Sequence, residues 1–457
     1  MTRRAHDFLS AAWHALGGGP DLLKAVQFAG EGDLASAYPV TDMASATIGA
    51  AALALAELAQ LRGGKVPEVI VDRRLASFWF GLSIRPVGWK MPAPWDPIAG
   101  DYQTTDGWIK LHTNAPHHRI AAEKILGRQA DKTAMAKQVL RWKKQELESA
   151  IVAEGGCAAE MRMADEWAAH PQGRAIAGEP LAHMESFAAA PLPDRGASPA
   201  RPLAGLRVLD LTRVLAGPVA SRFLAGFGAD VLRLDPPDWD EPAIIPEVTP
   251  GKRCARLDLK SAKGRATFET LLSQADVLLH GYRADALERM GYGAAARRNL
   301  SPGLIDVSLC AYGWSGPWAF RRGFDSLVQM SCGIADAGMR WKQAAQPTPL
   351  PVQALDHGTG YLLAAAVIRG VTQRLQGEAS IRARLSLART AKFLTDAGEA
   401  ETQAPLAAES FFDIASALEG TDWGAAKRLK PPVIIRDIPH FWTLPARALG
   451  TASPEWG

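Results

Sequence analysis

The chain is short of cysteine, of surplus charge and of long apolar runs. Four cysteines, Cys157, Cys254, Cys310 and Cys332, occur in 457 residues. They lie far apart and form no Cys-x-x-Cys pair, so neither a disulfide framework nor a zinc site is expected. Such spacing fits small buried thiols in a reducing cytoplasm. Lys+Arg total 51 against 48 Asp+Glu, a formal net charge of +3. No basic run is dense enough to track a phosphate backbone, which excludes a nucleic-acid partner. The longest mostly apolar stretch, Met43 to Ala56, is Ala-rich and too short to span a bilayer, so a buried helix is expected there and no membrane span. Met1 to Asp7 is polar and has no apolar signal core. His117 and His118 adjoin, but no His-Glu-x-x-His occurs, so no metal is expected. Gly-x-Gly-x-x-Gly, the P-loop and Gly-x-Ser-x-Gly are all missing, which removes three common nucleotide and hydrolase fingerprints.

What is present is ordinary core material. Hydrophobic residues make up 47% and charged residues 22%, which excludes intrinsic disorder. The length predicts two or three domains. Ala188 to Ala204 is rich in Pro and Ala without an apolar period and reads as a linker. Beyond it, short apolar strands alternate with helices. Strands are expected at Leu206–Leu211, Ala229–Leu234, Ala255–Leu259, Val277–Leu279 and Leu304–Leu309. Helices are expected at Leu215–Gly228, Ala262–Gln274 and Asp285–Met290. This alternation predicts an α/β fold with a doubly wound parallel sheet. The first half is less regular: a helix at Thr41–Leu61, a strand at Val69–Val71, a hairpin over Asp101–His112, and helices at His117–Leu126 and Ala134–Ala153. It reads as a smaller α+β domain at 96–187, preceded by a helix-bearing segment at 1–95. The α/β domain is placed at 205–400 and a Pro-rich tail at 401–457.

The sequence also repeats itself. "PVTDMASATIGAAALALAEL" (Pro39–Leu58) is similar to "PVQALDHGTGYLLAAAVIRG" (Pro351–Gly370). Each has Pro-Val, then an Asp, small residues and an Ala-rich helix, and each is followed by a strand-like segment, Val69–Asp72 and Ile381–Leu385. Asp356 stands just ahead of a helix expected from Gly358 to Arg374, followed by small residues that let a bulky ligand approach. On spacing alone a plain helix cap is the better reading, and more so for Asp42. The turn Val214-Leu215-Ala216-Gly217-Pro218 is either a phosphate cradle or a plain tight turn. Lys252, Arg253, Arg283 and Arg289 fit phosphate contacts or solvated surface pairs.

Taken together, these segments resemble the class III coenzyme A transferases of CaiB/BaiF type, a family that includes formyl-CoA and carnitine–CoA transferases and α-methylacyl-CoA racemase. "PLAGLRVLDLTRVLAGPVASRFLAGFGADVLRLDPP" is similar to the family's opening strand–helix–strand. "GKRCARLDLKSAKGRATFETLLSQADVLLHGYRADALERMGYG" and "LIDVSLCAYGWSGPWAFRRGFDSLVQMSCG" are similar to the units that follow. "DYQTTDGWIKLHTN" resembles the small-domain hairpin, more loosely. The resemblance implies a Rossmann-like CoA-binding domain and CoA transfer between carboxylic acids, with acyl-CoA and a carboxylic acid acceptor as partners. Coenzyme A would enter as substrate. Asp356 would form the covalent aspartyl intermediate. Val214, Leu215, Ala216, Leu257, Tyr282, Arg289 and Met290 would line the CoA site.

The order of parts departs from the family pattern. Here an Asp helix and the small domain precede the CoA-binding domain. The chain thus resembles a partial tandem, either a homodimer or a monomer that mimics the family's interlocked dimer. Phe324-Asp325 stands where the racemase branch has His-Asp, which disfavours racemisation. Gly281 replaces an Asn, and the family's glycine-rich loop is not recognisable. An acyl-CoA racemase or epimerase, and a non-catalytic CoA-binding protein, are the alternatives.

Overall fold

From residue 183 to residue 395 strands alternate with helices, and seven strands form one sheet in the computed structural model, which describes residues 3–193, 195–377, 379–400 and 404–457. The tail boundary expected at residue 401, residue 194 of the linker and the first two residues of the N-terminal segment lie outside the described residues. The strands are β1 (His183–Ala188), β2 (Arg207–Leu211), β3 (Asp230–Asp235), β4 (Lys252–Arg256), β5 (Val277–His280), β6 (Ile305–Cys310) and β7 (Ala379–Ser386). Their order is β4-β3-β2-β5-β6-β7-β1. All pairs are parallel except β1, which runs antiparallel along the β7 edge. Every residue of β5 and β6 is buried, as strands covered on both faces must be. The strand order reverses between β2 and β5. A crevice opens at such a switch point, outside the carboxyl ends of the strands.

Two differences from the sequence reading have clear causes. β4 starts at Lys252, three residues before the strand expected at Ala255–Leu259. Its leading polar residues mask it, because Lys252 is buried with its ammonium 3.4 Å from Asp210 and 2.6 Å from the Ser221 hydroxyl. Leu257 and Leu259 follow the strand and pack on the apolar cluster beside it. In the smaller region, the single helix expected at Ala134–Ala153 is two, Lys132–Val139 and Lys144–Ala153. The hairpin turn breaks it. The Asp106 carboxylate accepts the Lys144 N–H at 2.8 Å, and the Thr105 N–H donates to the Trp142 carbonyl at 3.0 Å.

The helix Val40–Leu61 and the helix Ala354–Gly377 pack along each other. The first has 22 residues, long and apolar enough to cross a membrane by length and composition, yet protein covers most of its surface. The second also lies against the helix Ala216–Gly226. A Cβ at Gly360 would stand 2.5 Å from the Ala216 carbonyl oxygen, so the close approach requires glycine. Each long helix leads to a strand and then a short helix, Val69–Asp72 with Arg73–Trp79 and β7 with Leu387–Thr395. In both, the last strand residue caps the short helix: Asp72 accepts from Leu75 N–H and Ser386 from Arg389 N–H. The internal repeat therefore extends past the sequence match. The C-terminal strands complete the N-terminal half. Val433–Ile435 pairs with Val69–Asp72, and Gly424–Arg428 pairs with Ile84–Pro86. Buried Glu247, held by Arg222 and Arg428, ties that tail to the α/β region.

Candidate active site

Asp356 is not the cap of its helix but the third residue in it. The cap comes from elsewhere. Asp325, the first residue of the helix Asp325–Ser331, accepts the N–H groups of Leu355 and Asp356, each at 2.9 Å. The Gln329 side-chain amide donates to its other oxygen. With Asp325 satisfying the helix end, the Asp356 carboxyl is free of that duty. Among the described residues it has no hydrogen-bond or ion-pair partner, although Asp356 is only 8% exposed. Burial and the neighbouring Asp325 push the Asp356 carboxyl well above the ordinary carboxylate range. Burial raises Asp325 to about 6, against the opposing pull of the hydrogen bonds it accepts. Two like charges this close do not ionise independently, so the two carboxyls titrate as a pair.

Asp356 faces a cavity of about 380 Å³. Its walls come from the turn after β2, the ends of β5 and β6, the loop at 319–324, and His117–His118 of the smaller region. The site therefore lies at the carboxyl ends of the central strands, at the switch in strand order. Val214 on that wall has φ 63°, rare for a β-branched residue, and its N–H is held at 2.7 Å by Glu241. Such a conformation costs about 1–3 kcal/mol and persists only where neighbours enforce it. Arg213 spans Trp239 and Tyr282, at 4.6 and 5.3 Å from the ring centres, and donates to the Tyr282 hydroxyl at 3.3 Å. His112 stacks on Phe324 with centroids 3.8 Å apart, and His118 meets the same ring edge-on. Burial lowers His118 to about 3, so it is neutral, and raises Cys157, 3.5 Å away, to about 12. That thiol is no nucleophile.

Of the residues singled out in the sequence, Val214, Ala216, Tyr282, Arg283 and Asp356 line this one cavity. Leu215 precedes the helix at Ala216 and packs into the main core. Leu257 and Met290 share an apolar cluster with Tyr282 but stand outside the cavity wall. Arg289 is 70% exposed in its side chain and bound to Asp285, also off the wall. Five further groups reach the site without having been singled out for it: His117, His118, Arg213, Arg321 and Arg322. They come from three distant segments, 117–118, 213 and 321–322, and no local spacing connects one segment to another. Asp325 was visible next to Phe324, but its capping of a helix that starts 29 residues later was not.

Asp42 holds the same third position in its own helix. Its surroundings differ completely. Arg73, itself 2% exposed, donates to Asp42 at 2.5 Å and to Asp33 at 2.9 Å. A smaller cavity of about 190 Å³ touches Asp33, Tyr38 and Asp42. A carboxylate clamped by a buried guanidinium is stabilised as an anion and blunted as a nucleophile.

Residues 203–407 match the family described as CoA-transferase family III. An acetyl-coenzyme A transferase of Hypoxylon pulicicidum is 34% identical over 200 residues, 43% of this chain and 34% of that protein. A probable fatty acyl-CoA transferase of Mycobacterium tuberculosis is 32% identical over 191 residues, 39% of this chain and 48% of that one. A crystal structure of a Mycobacterium tuberculosis protein is 30% identical with a TM-score of 0.40, covering 43% of this chain and 57% of that chain. The chain thus spans between a third and a half of the length of these two relatives. The matched residues, 203–407, hold the strands β2 to β7 and Asp356, so the similarity to CoA-transferase family III falls on the part of the chain that carries the site.

Proposed function

We propose that the protein moves coenzyme A between carboxylic acids, with Asp356 as the covalent nucleophile. The observation that carries this is the unpartnered, buried Asp356 carboxyl in the first turn of a 24-residue helix, facing a cavity at the strand ends. Its raised pKa makes the ionised form a stronger base than a solvated carboxylate. The carboxylate oxygen attacks the acyl-CoA carbonyl and expels the CoA thiolate, leaving a mixed anhydride on Asp356. The thiolate then attacks the aspartyl carbonyl, releasing the donor acid and forming an aspartyl–CoA thioester. The acceptor carboxylate attacks that thioester, and the freed thiolate takes the new acyl group from the second anhydride. One hard exchange becomes four acyl transfers. The oriented amides of the first helical turn favour the negative charge that develops at each step.

Coenzyme A fits the walls in kind. Tyr282 and Trp239 offer flat apolar faces, Arg213 offers a cation with no carboxylate partner among the described residues, and the strained Val214 turn would bring backbone close to the ligand. The names of the matched relatives support the same chemistry. The test is exchange of labelled acid into acyl-CoA by the Asp356→Ala variant. Loss of exchange with CoA binding retained is expected, and undiminished exchange would remove Asp356 from the mechanism. An acyl-CoA epimerase is the second reading. His118 favours it, because it places a neutral imidazole on the cavity wall with its Nδ1 unpartnered. Uptake of deuterium at the α-carbon of a 2-methylacyl-CoA in heavy water is its signature.

A further inference from the structure

The turn that carries Val214 is held in shape from outside. The Val214 N–H donates to one Glu241 oxygen at 2.7 Å, and the other Glu241 oxygen accepts from Arg233 Nη2 at 2.9 Å. Arg233 lies on β3 with its side chain fully buried. Its Nε and Nη2 donate to Asp235, two residues along the same strand, at 2.8 and 3.0 Å. Its Nη1 is buried and has no hydrogen-bond partner among the described residues. Burying charge costs stability, and apolar residues in place of a buried ion pair are often neutral or better. A buried guanidinium with an N–H to spare is therefore a poor choice for packing alone. What Arg233 does is fix the position of a carboxylate oxygen.

The backbone of Glu241 is fixed as well. Its carbonyl accepts the N–H groups of Ile244 and Ile245, at 3.0 and 3.1 Å, where the helix Ile245–Val248 begins. The loop leading to it is held by Arg256, the last residue of β4. Arg256 Nη1 reaches the carbonyls of Pro236, Pro237 and Trp239 at 2.9, 3.0 and 2.8 Å. The same loop sets the Trp239 ring against Arg213, the residue before Val214. Two successive residues of the turn thus lean on one loop, Arg213 through Trp239 and Val214 through Glu241. Val214, β-branched and at φ 63°, adopts that conformation only because its surroundings impose it. Glu241 itself does not line the cavity, so its influence on the cavity passes through Val214.

We propose that Glu241, set by Arg233, is a positioning residue for coenzyme A: it keeps Val214 in the left-handed conformation in which the turn presents its backbone to the ligand. This deepens the function proposed above and rests on the Val214 turn being a CoA contact, not on Asp356 being the nucleophile. A carboxylate accepts from Val214 and Arg233 at once. A glutamine amide has one acceptor oxygen and must turn its own N–H groups against one of them.

The test is calorimetric titration of the full chain with CoA. Glu241→Gln is expected to bind at least about tenfold more weakly than wild type, a scale set by the cost of the positive-φ conformation. Glycine adopts that conformation freely, so on a Val214→Gly background the same change should alter affinity by no more than about threefold. On a Val214→Ala background, which trims the side chain but keeps the Cβ, the loss should remain at least about fivefold. Glu241→Asp keeps the charge beside Arg233 but is too short to hold both partners. It is expected to match Glu241→Gln and takes its place if that variant does not fold. Wild-type CoA affinity in Glu241→Gln would overturn the proposal. So would a loss just as large on the Val214→Gly background, because Glu241 would then act on CoA directly or only on the fold. A wild type that binds no CoA would overturn both this proposal and the transferase reading. The expected pattern of affinities in a protein that exchanges no acyl group would uphold the role of Glu241 and sink the Asp356 reading.

Discussion

The two long helices start alike and end up with opposite electrostatics. Each carries an Asp as its third residue, and each leads to a strand and a capped short helix. Asp42 is held by the buried Arg73. Among the described residues the charged neighbour that acts on Asp356 is another carboxyl, Asp325, and Asp325 takes over the capping role that Asp356 would otherwise play. The position in the helix is shared. What makes one carboxyl a candidate nucleophile and the other a structural anion is the residue presented to it by the next element, an Arg in one case and an Asp in the other.

The widest separation between the two should appear in exchange assays. Asp356→Asn is expected to cost at least about 10³-fold in acyl exchange, as removal of a covalent nucleophile does. Asp42→Asn should stay within about tenfold of wild type. Equal losses in both variants would break the distinction.

Stability should run the other way. Asp42→Ala leaves the buried Arg73 with Asp33 alone, and breaking a buried ion pair costs about 3–5 kcal/mol. Chemical denaturation of Asp42→Ala should show that loss, whereas Asp356→Ala should not, because no cation is orphaned. A smaller contrast lies one turn further along. Gly360 stands four residues after Asp356, and Ala46 occupies the same offset after Asp42. Gly360→Ala should cost about 1–3 kcal/mol by pushing the helix off Ala216, and should lower exchange with it. Ala46→Gly should cost only about 1 kcal/mol of helix propensity. Urea midpoints of the two variants check this.

The smallest effect concerns protons. Asp356 and Asp325 both bind a proton more tightly in the folded chain than in the unfolded one. Their contribution to stability is therefore complete below the unfolded pKa of about 4 and is lost as pH rises through about 6 and beyond. Thermal melts from pH 4 to 8 should show wild-type stability falling relative to Asp356→Asn. In Asp325→Asn, with the like charge gone, the acid limb of the exchange profile should move down by about one pH unit. An unmoved limb would remove Asp325 from control of the nucleophile.

Much of the fold was legible because its signals are local. "LRVLDL", "ADVLRL" and "LIDVSL" are short apolar runs between helical periods, and they form β2, β3 and β6. β4 was displaced by three residues because a buried Lys252 does not look like a strand residue until its partners, Asp210 and Ser221, are known. β1, with its exposed and half-buried residues, gave no apolar run to read. The site divides in the same way. Val214, Ala216, Tyr282 and Asp356 sit at strand and helix ends, where position carries information. Arg321, Arg322 and the Asp325 cap reach the site across long sequence separations, and nothing in their immediate neighbours marks them.

The central claim is that Asp356, and not Asp42, carries the acyl and CoA groups. Mass spectrometry of peptides from the purified protein, quenched after incubation with a panel of acyl-CoAs, tests it most directly. A CoA or acyl mass added to the peptide containing Asp356, with the Asp42 peptide unmodified, is the expected result. Exchange activity with the adduct on Asp42, or with neither peptide modified, would contradict it.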